Sequence, residues 1–181
     1  FGNINIDLIY GMPGENTRDW QKDLEKAVSL SPEHISIYPL TVEEGTRFFL
    51  DGVKTLDETQ RNMFECARDF LKDYEHYEIS NFAKRGYESK HNLNYWRCGE
   101  YLGFGAAAAS YFESRRWRNT NDIEKYILEP LKAPEDVETI DEDRKIQEKI
   151  ILGLRLLSDG VEVTDNIKKR YGERISEMHN D

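Results

Sequence analysis

His91, Asn92, Tyr95 and Trp96 share one short run, His91-Asn92-Leu93-Asn94-Tyr95-Trp96. An imidazole can ligate iron, and aromatic surroundings suit the face of a porphyrin. A hydrogen-bonded structural histidine satisfies the same run. Of the other histidines, His34, His76 and His179 sit in ordinary contexts. Farther along, Arg115-Arg116-Trp117-Arg118 forms a basic cluster. Three guanidiniums beside an indole can hold carboxylates or propionates. A solvated hairpin that offsets local acid has the same composition. A third position is Asp7, an acid inside the apolar run 4–10, just before Gly11-Met12-Pro13-Gly14. At the carboxyl end of a strand such an acid can receive ribose hydroxyls. It can equally cap the glycine turn or pair with an arginine. Ser110 has no His–acid partner visible in sequence, so a serine hydrolase is not indicated.

These groups need a frame. Residues 4–10 read as a nearly continuous apolar strand, the kind that suits a parallel sheet. A helix is expected over 17–30, with Trp20, Leu24, Ala27 and Val28 on one stripe and Asn16 or Thr17 as cap. Residues 34–40 read as a second strand, which completes a βαβ unit with parallel strands. A helix over 57–74 follows, with Asp57 and Gln60 as a capping box and Cys66 beside its buried stripe. A short strand is expected over 77–82. Between 87 and 121, aromatics alternate with glycines and a four-alanine run. That mixture suits close backbone packing around something flat, or an irregular aromatic core. Beyond 121, helices are expected near 121–129 and 141–158, the latter with a stripe of Ile146, Ile150, Leu154 and Leu157. A last helix after Thr164 carries Ile167, Tyr171 and Ile175. The polar stretch 130–138 is the best boundary within the tail.

Composition narrows the function classes. The chain has 181 residues, 38% of them hydrophobic, and a net charge of −10. Its mean hydropathy is −0.76. Such acidity repels phosphate backbones, which disfavours nucleic-acid binding. Between 120 and 181 acids outnumber bases 16 to 10, so a DNA-reading helix pair is disfavoured there too. No apolar run approaches the roughly 18–20 residues that span a bilayer. The two cysteines, Cys66 and Cys98, are too far apart in sequence for a CxxC or CxxxCxxC site. The expected setting is reduced and cytoplasmic.

Several strings, taken in order, carry a resemblance: Ile6-Asp7-Leu8-Ile9-Tyr10-Gly11-Met12-Pro13-Gly14, His34-Ile35-Ser36-Ile37-Tyr38-Pro39-Leu40-Thr41 with Glu44-Gly45-Thr46, Tyr77-Glu78-Ile79-Ser80-Asn81-Phe82-Ala83, the His91–Trp96 run, and Tyr101-Leu102-Gly103-Phe104-Gly105-Ala106. Together they resemble the oxygen-independent coproporphyrinogen III oxidase family of radical S-adenosylmethionine proteins, and fit best its heme-chaperone branch. The resemblance covers nearly the whole chain. It implies an α/β fold: the last strands of a partial (β/α)6 barrel in 1–50, a family extension with a heme or porphyrin motif in 51–120, and the start of a winged-helix-like helical domain in 121–181. It places S-adenosylmethionine against Asp7, Ile9, Gly11, Tyr38, Leu40 and Thr41. It places heme at His91, Asn92 and Tyr95, with His91 as the iron ligand. Arg115, Arg116 and Arg118 are the propionate candidates.

The family's [4Fe–4S] cluster rests on a CxxxCxxC loop that this chain lacks, so the chain alone is expected to be catalytically inactive. The implied partners are heme, a heme-acceptor protein and an electron donor for the cluster. One position departs from the pattern: relatives usually read Gly-Ala-His-Ser where this chain has Ala107-Ala108-Ala109-Ser110. A second imidazole is therefore missing at Ala109. The competing expectations are an oxidase that decarboxylates coproporphyrinogen propionates by radical chemistry, and a module that mainly recruits partners.

Overall fold

The computed structural model describes residues 2–130 and 134–178, and His179 lies outside them. The chain forms two compact units, Phe1–Ser89 and Lys90–Asp181. The divisions at 50 and 120 follow the family plan and stand as a proposal about segments.

In the first unit, β1 (Asn5–Tyr10) leads through a glycine turn into α1 (Thr17–Ser29) and back to β2 (His34–Pro39). The two strands are parallel, with Asn5 opposite His34 and Tyr10 opposite Pro39. Asn16 caps α1, its side chain accepting from the Arg18 and Asp19 amides. The apolar stripe of α1 buries Trp20, Leu24 and Ala27. Trp20 and Leu24 pack with Tyr10, Ile35 and Ile37 from one face of the strand pair. A short α2 (Arg47–Leu50) was not anticipated; the Thr46 hydroxyl caps it. Then α3 (Asp57–Phe70) adds Met63 and Ala67 to the core. The Trp20 indole donates to the Met63 carbonyl at 2.9 Å, so the largest core side chain leaves no polar atom stranded.

Two local expectations are corrected here. No capping box forms at Asp57: Leu56 is the cap residue and makes no side-chain bond. Gln60 instead donates to the Leu40 carbonyl, which a strand end leaves open. The strand expected over 77–82 is a hairpin of β3 (Glu75–Glu78) and β4 (Asn81–Ala83). The Glu78 carboxylate accepts from the Ser80 amide and the Asn81 side chain, which closes the turn. β4 pairs antiparallel with β2, giving the order β1-β2-β4-β3.

The second unit starts with α4 (Lys90–Trp96). An antiparallel pair, β5 (Ala109–Phe112) and β6 (Arg115–Asn119), follows. After α5 (Ile123–Leu128) comes β7 (Pro134–Thr139), which pairs with β6. Of the stretch expected as a polar boundary, 131–133 lie outside the described residues and 134–138 are thus in a strand. Its exposed, charge-rich sequence hides it, because it gains backbone bonds and little burial. α6 (Glu142–Gly153) is shorter than expected: Leu154 and Leu157 are exposed and Leu156 is buried instead. A Cβ on Gly153 would press on Val161, so the glycine permits this close return of the chain. α7 (Asp165–Met178) is the last element and buries Ile167.

The other face of the first sheet is polar. His34 is buried, with Nδ1 2.6 Å from Asn5 Oδ1 and Nε2 2.8 Å from the Tyr77 hydroxyl. Asn5 spends its amide nitrogen on Asp7, so its oxygen faces the ring. Nδ1 therefore carries the proton and Nε2 accepts from Tyr77. The Tyr77 oxygen in turn accepts from the Ser89 amide. Burial pushes the Tyr77 phenol up to about 12 and holds His34 below the ordinary histidine value. In the unfolded chain His34 regains its ordinary affinity for protons. The unfolded state then binds the proton first, and stability is lost as pH falls through the range below about 6.5. Urea unfolding should show stability falling from neutral to mildly acidic pH, and His34→Asn should flatten that slope. An unchanged slope would contradict the buried neutral imidazole.

Candidate functional site

The first group of expected site residues gathers at the carboxyl ends of β1 and β2. Strand alternation puts Asn5, Asp7 and Ile9 on the polar face, opposite His34, Ser36 and Tyr38. Ile9 is 54% exposed and Tyr38, its register partner, 40%. Two apolar side chains thus lie side by side without cover, a platform for a flat ring. Asp7 is exposed two residues below and accepts from Asn5 at 2.8 Å. Among the described residues it neither caps the glycine turn nor pairs with an arginine. The turn is held by Glu15, whose Oε2 accepts from the Gly11 and Met12 amides at 2.7 and 2.9 Å.

Gly11 has φ of +81°, and a Cβ there would collide with Gln60. The same Gln60 reaches the Leu40 carbonyl, while the Leu40 amide donates to Tyr10. Gln60 and Glu15 together fix both strand ends. Neither role was anticipated. The acid directly after Gly11-Met12-Pro13-Gly14 was the available signal for Glu15. Thr41 is exposed next to Leu40. The six residues therefore share one strand-end region, with a carboxylate beside an apolar pair.

The second group lies on α4. His91 is exposed, and Tyr95, one turn on, meets it edge to face with centroids 4.7 Å apart. Tyr95 continues to Tyr101 at 4.6 Å, and Tyr101 to Tyr111 at 6.4 Å. Arg116 ends this ladder with its guanidinium 5.6 Å from the Tyr111 ring centroid. Asn92 sits beside His91 on the same helix. Among the described residues no group of three or more His, Cys, Asp or Glu side chains could hold a metal ion. Cys66 packs against the first unit's core, and burial pushes the Cys98 thiol up. These two cysteines do not fit an iron–sulfur cluster, which needs several thiolates around one site.

The arginines do not act as one cluster. Tyr111 is opposite Arg116 in the β5–β6 register, while Ser110 is opposite Trp117 and Phe112 opposite Arg115. Arg116 and Arg118 thus share the ladder face, and Arg115 and Trp117 the other. Arg116 is engaged: its guanidinium bonds Glu148 on α6 and Glu138 on β7. That bonding holds the Glu148 carboxyl below its ordinary value. Arg115 and Arg118 have no ion pair among the described residues. Ala109 lies on the ladder face opposite Arg118, so a longer side chain at that position would project there.

Arg116 and Glu148 are each largely screened from water, with side chains 30% and 18% exposed. A double-mutant cycle between them should return a coupling of about 1.5–3 kcal/mol, the range of a charge-assisted bond. A value near zero would show that the ladder is not anchored there.

No family model matches the chain. Among curated proteins it is similar to the heme chaperone HemW of Lactococcus lactis, 37% identical over 99% of this chain and 51% of that protein. The heme chaperone HemW of Bacillus subtilis is 36% identical over 96% of this chain and 47% of its own length. Among solved structures the chain is similar to coproporphyrinogen III oxidase (HemN) from Escherichia coli, described as a radical SAM enzyme. The TM-score is 0.73 at 16% identity, over 97% of this chain and 46% of that one. The chain spans about half the length of the curated relatives it matches. It is homologous to the HemW heme chaperones over that half, and its α/β architecture is the fold of the HemN radical SAM structure over the matched part.

Proposed function

We propose that this chain is the heme-contacting part of a heme chaperone, which binds heme through the α4 region and passes it to an acceptor protein. One observation carries the proposal: an exposed imidazole, His91, backed edge-on by Tyr95 and a ladder of two further tyrosines. An exposed histidine offers iron a nitrogen, and the stacked rings behind it limit its motion. Asn92, next to His91 on α4, is part of the proposed contact. The HemW relatives are named for the same activity. The likeness to the oxidase, at 16% identity, carries the fold alone.

The first unit serves S-adenosylmethionine in this proposal. The Ile9–Tyr38 platform suits an adenine face, and the exposed Asp7 carboxylate suits ribose hydroxyls. Gly11, Leu40 and Thr41 border the same strand ends. A [4Fe–4S] cluster and its electron donor are part of the same proposal, and Cys66 and Cys98 do not fit that cluster. No described helix is long and apolar enough to cross a membrane. A cytoplasmic location accords with that and is part of the proposal.

Titrating ferric heme into the chain and into His91→Ala tests the site. The variant should bind about tenfold more weakly or worse, since even outer groups around a metal ligand cost about 10–100-fold. Its Soret band should also move, because the axial nitrogen is gone. Equal affinity and an unchanged band would remove His91 from the site.

A further inference from the structure

The face of β5 and β6 turned away from the tyrosine ladder holds a cavity of about 460 Å³. That is within the range of about 300–1,000 Å³ usual for small-molecule sites. Ser110, Arg115, Trp117 and Asn119 line it from the strands, which is what alternation along one face requires. Leu102, Phe104 and Val137 complete apolar walls and are themselves 54%, 85% and 49% exposed. The cavity therefore presents apolar surface that nothing among the described residues covers.

Its polar groups are unevenly committed. The Ser110 hydroxyl accepts from the Gly103 amide at 3.0 Å. The Asn119 amide nitrogen donates to the Gly103 and Gly105 carbonyls at 3.3 and 2.9 Å. The Tyr126 hydroxyl accepts from the Gly105 amide at 2.9 Å. These bonds build the wall at 103–105, and a Cβ on Gly103 would run into the Ala109 carbonyl. Arg115 is different. Among the described residues it is the only charged side chain in the lining, and it has no hydrogen bond or ion pair with any of them. Its neighbour Arg116 has two carboxylate partners on the opposite face. An unpaired guanidinium at the edge of an apolar cavity, in a chain of net charge −10, selects an anion joined to an apolar body.

We propose that this cavity is a binding site for a flat, apolar-bodied carboxylate, with Arg115 holding the carboxylate and Trp117 and Phe104 flanking the body. The site is separate from the His91 region and does not depend on the heme proposal. The same chemistry has two sources, the propionate edge of a porphyrin and a smaller aryl acid.

The test uses 1-naphthylacetate and its neutral analogue 1-naphthylacetamide. Binding is read from the Trp117 indole N–H resonance of the isotopically labelled chain. The acid should shift that resonance and bind about tenfold more tightly than the amide, the worth of one charge-assisted contact. Arg115→Gln should lower the acid to the affinity of the amide and leave the amide unchanged. Arg115 is exposed and has no ion pair or hydrogen bond among the described residues, so this change leaves packing intact. His91→Ala should alter neither probe, whatever it does to heme. Competition by metal-free protoporphyrin would assign the occupant to a porphyrin edge; its absence would assign it to a smaller aryl acid. Equal affinity for acid and amide, no effect of Arg115→Gln, or loss of binding in His91→Ala would each overturn the proposal.

Discussion

The register between β1 and β2 sets what every other group in the first unit can do. Asn5 lies opposite His34, and the two strands run parallel. That pairing puts Tyr10, Ile35 and Ile37 on the face that α1 and α3 bury. It puts Asn5, Asp7 and Ile9 beside His34, Ser36 and Tyr38 on the other. A slip of one residue would drive the Asp7 carboxylate toward Trp20 and turn an isoleucine outward. The cost of a buried unpaired carboxylate forbids that slip. The same constraint leaves Ile9 and Tyr38 uncovered at the strand ends, and Glu15 and Gln60 hold those ends still.

The second unit uses alternation for a different purpose. Neighbouring arginines on β6 are sent to opposite faces, and their partners differ accordingly. Arg116 joins Tyr111 to two carboxylates, while Arg115, beside Trp117 in an apolar cavity, has no ion pair among the described residues. One hairpin thereby supports an aromatic ladder that leads to His91 and, on its reverse, a separate acid-selective cavity. Close backbone approach makes both possible. Gly99 accommodates the Asn94 side chain, and Gly103 accommodates the Ala109 carbonyl.

Much of this was legible in sequence where one period dominates. The βαβ start, the α1 stripe and its Asn16 cap follow from residue types alone, because a 3.6-residue stripe and a continuous apolar strand have few alternatives. Asp7 stood out as an acid in an apolar strand, whereas Ile9 and Tyr38 were grouped with it only through the family resemblance. What escaped depends on partners distant in the chain. The hairpin over 75–83 needs Glu78 to close a turn that no glycine marks. β7 carries three acids in six residues and is a strand because β6 offers it backbone bonds. Gln60 looks like a capping residue locally, yet an open carbonyl on Leu40 claims it. The three arginines look like one cluster in a linear string, and only the pleat shows that they divide.

The central claim is that α4 receives heme through His91. Ferric heme is paramagnetic and broadens nearby nuclear resonances, so the amide spectrum of the labelled chain locates it directly. At saturating ferric heme, the Lys90–Trp96 amides should broaden most. Sharp resonances across those residues in the heme-saturated chain would contradict the claim.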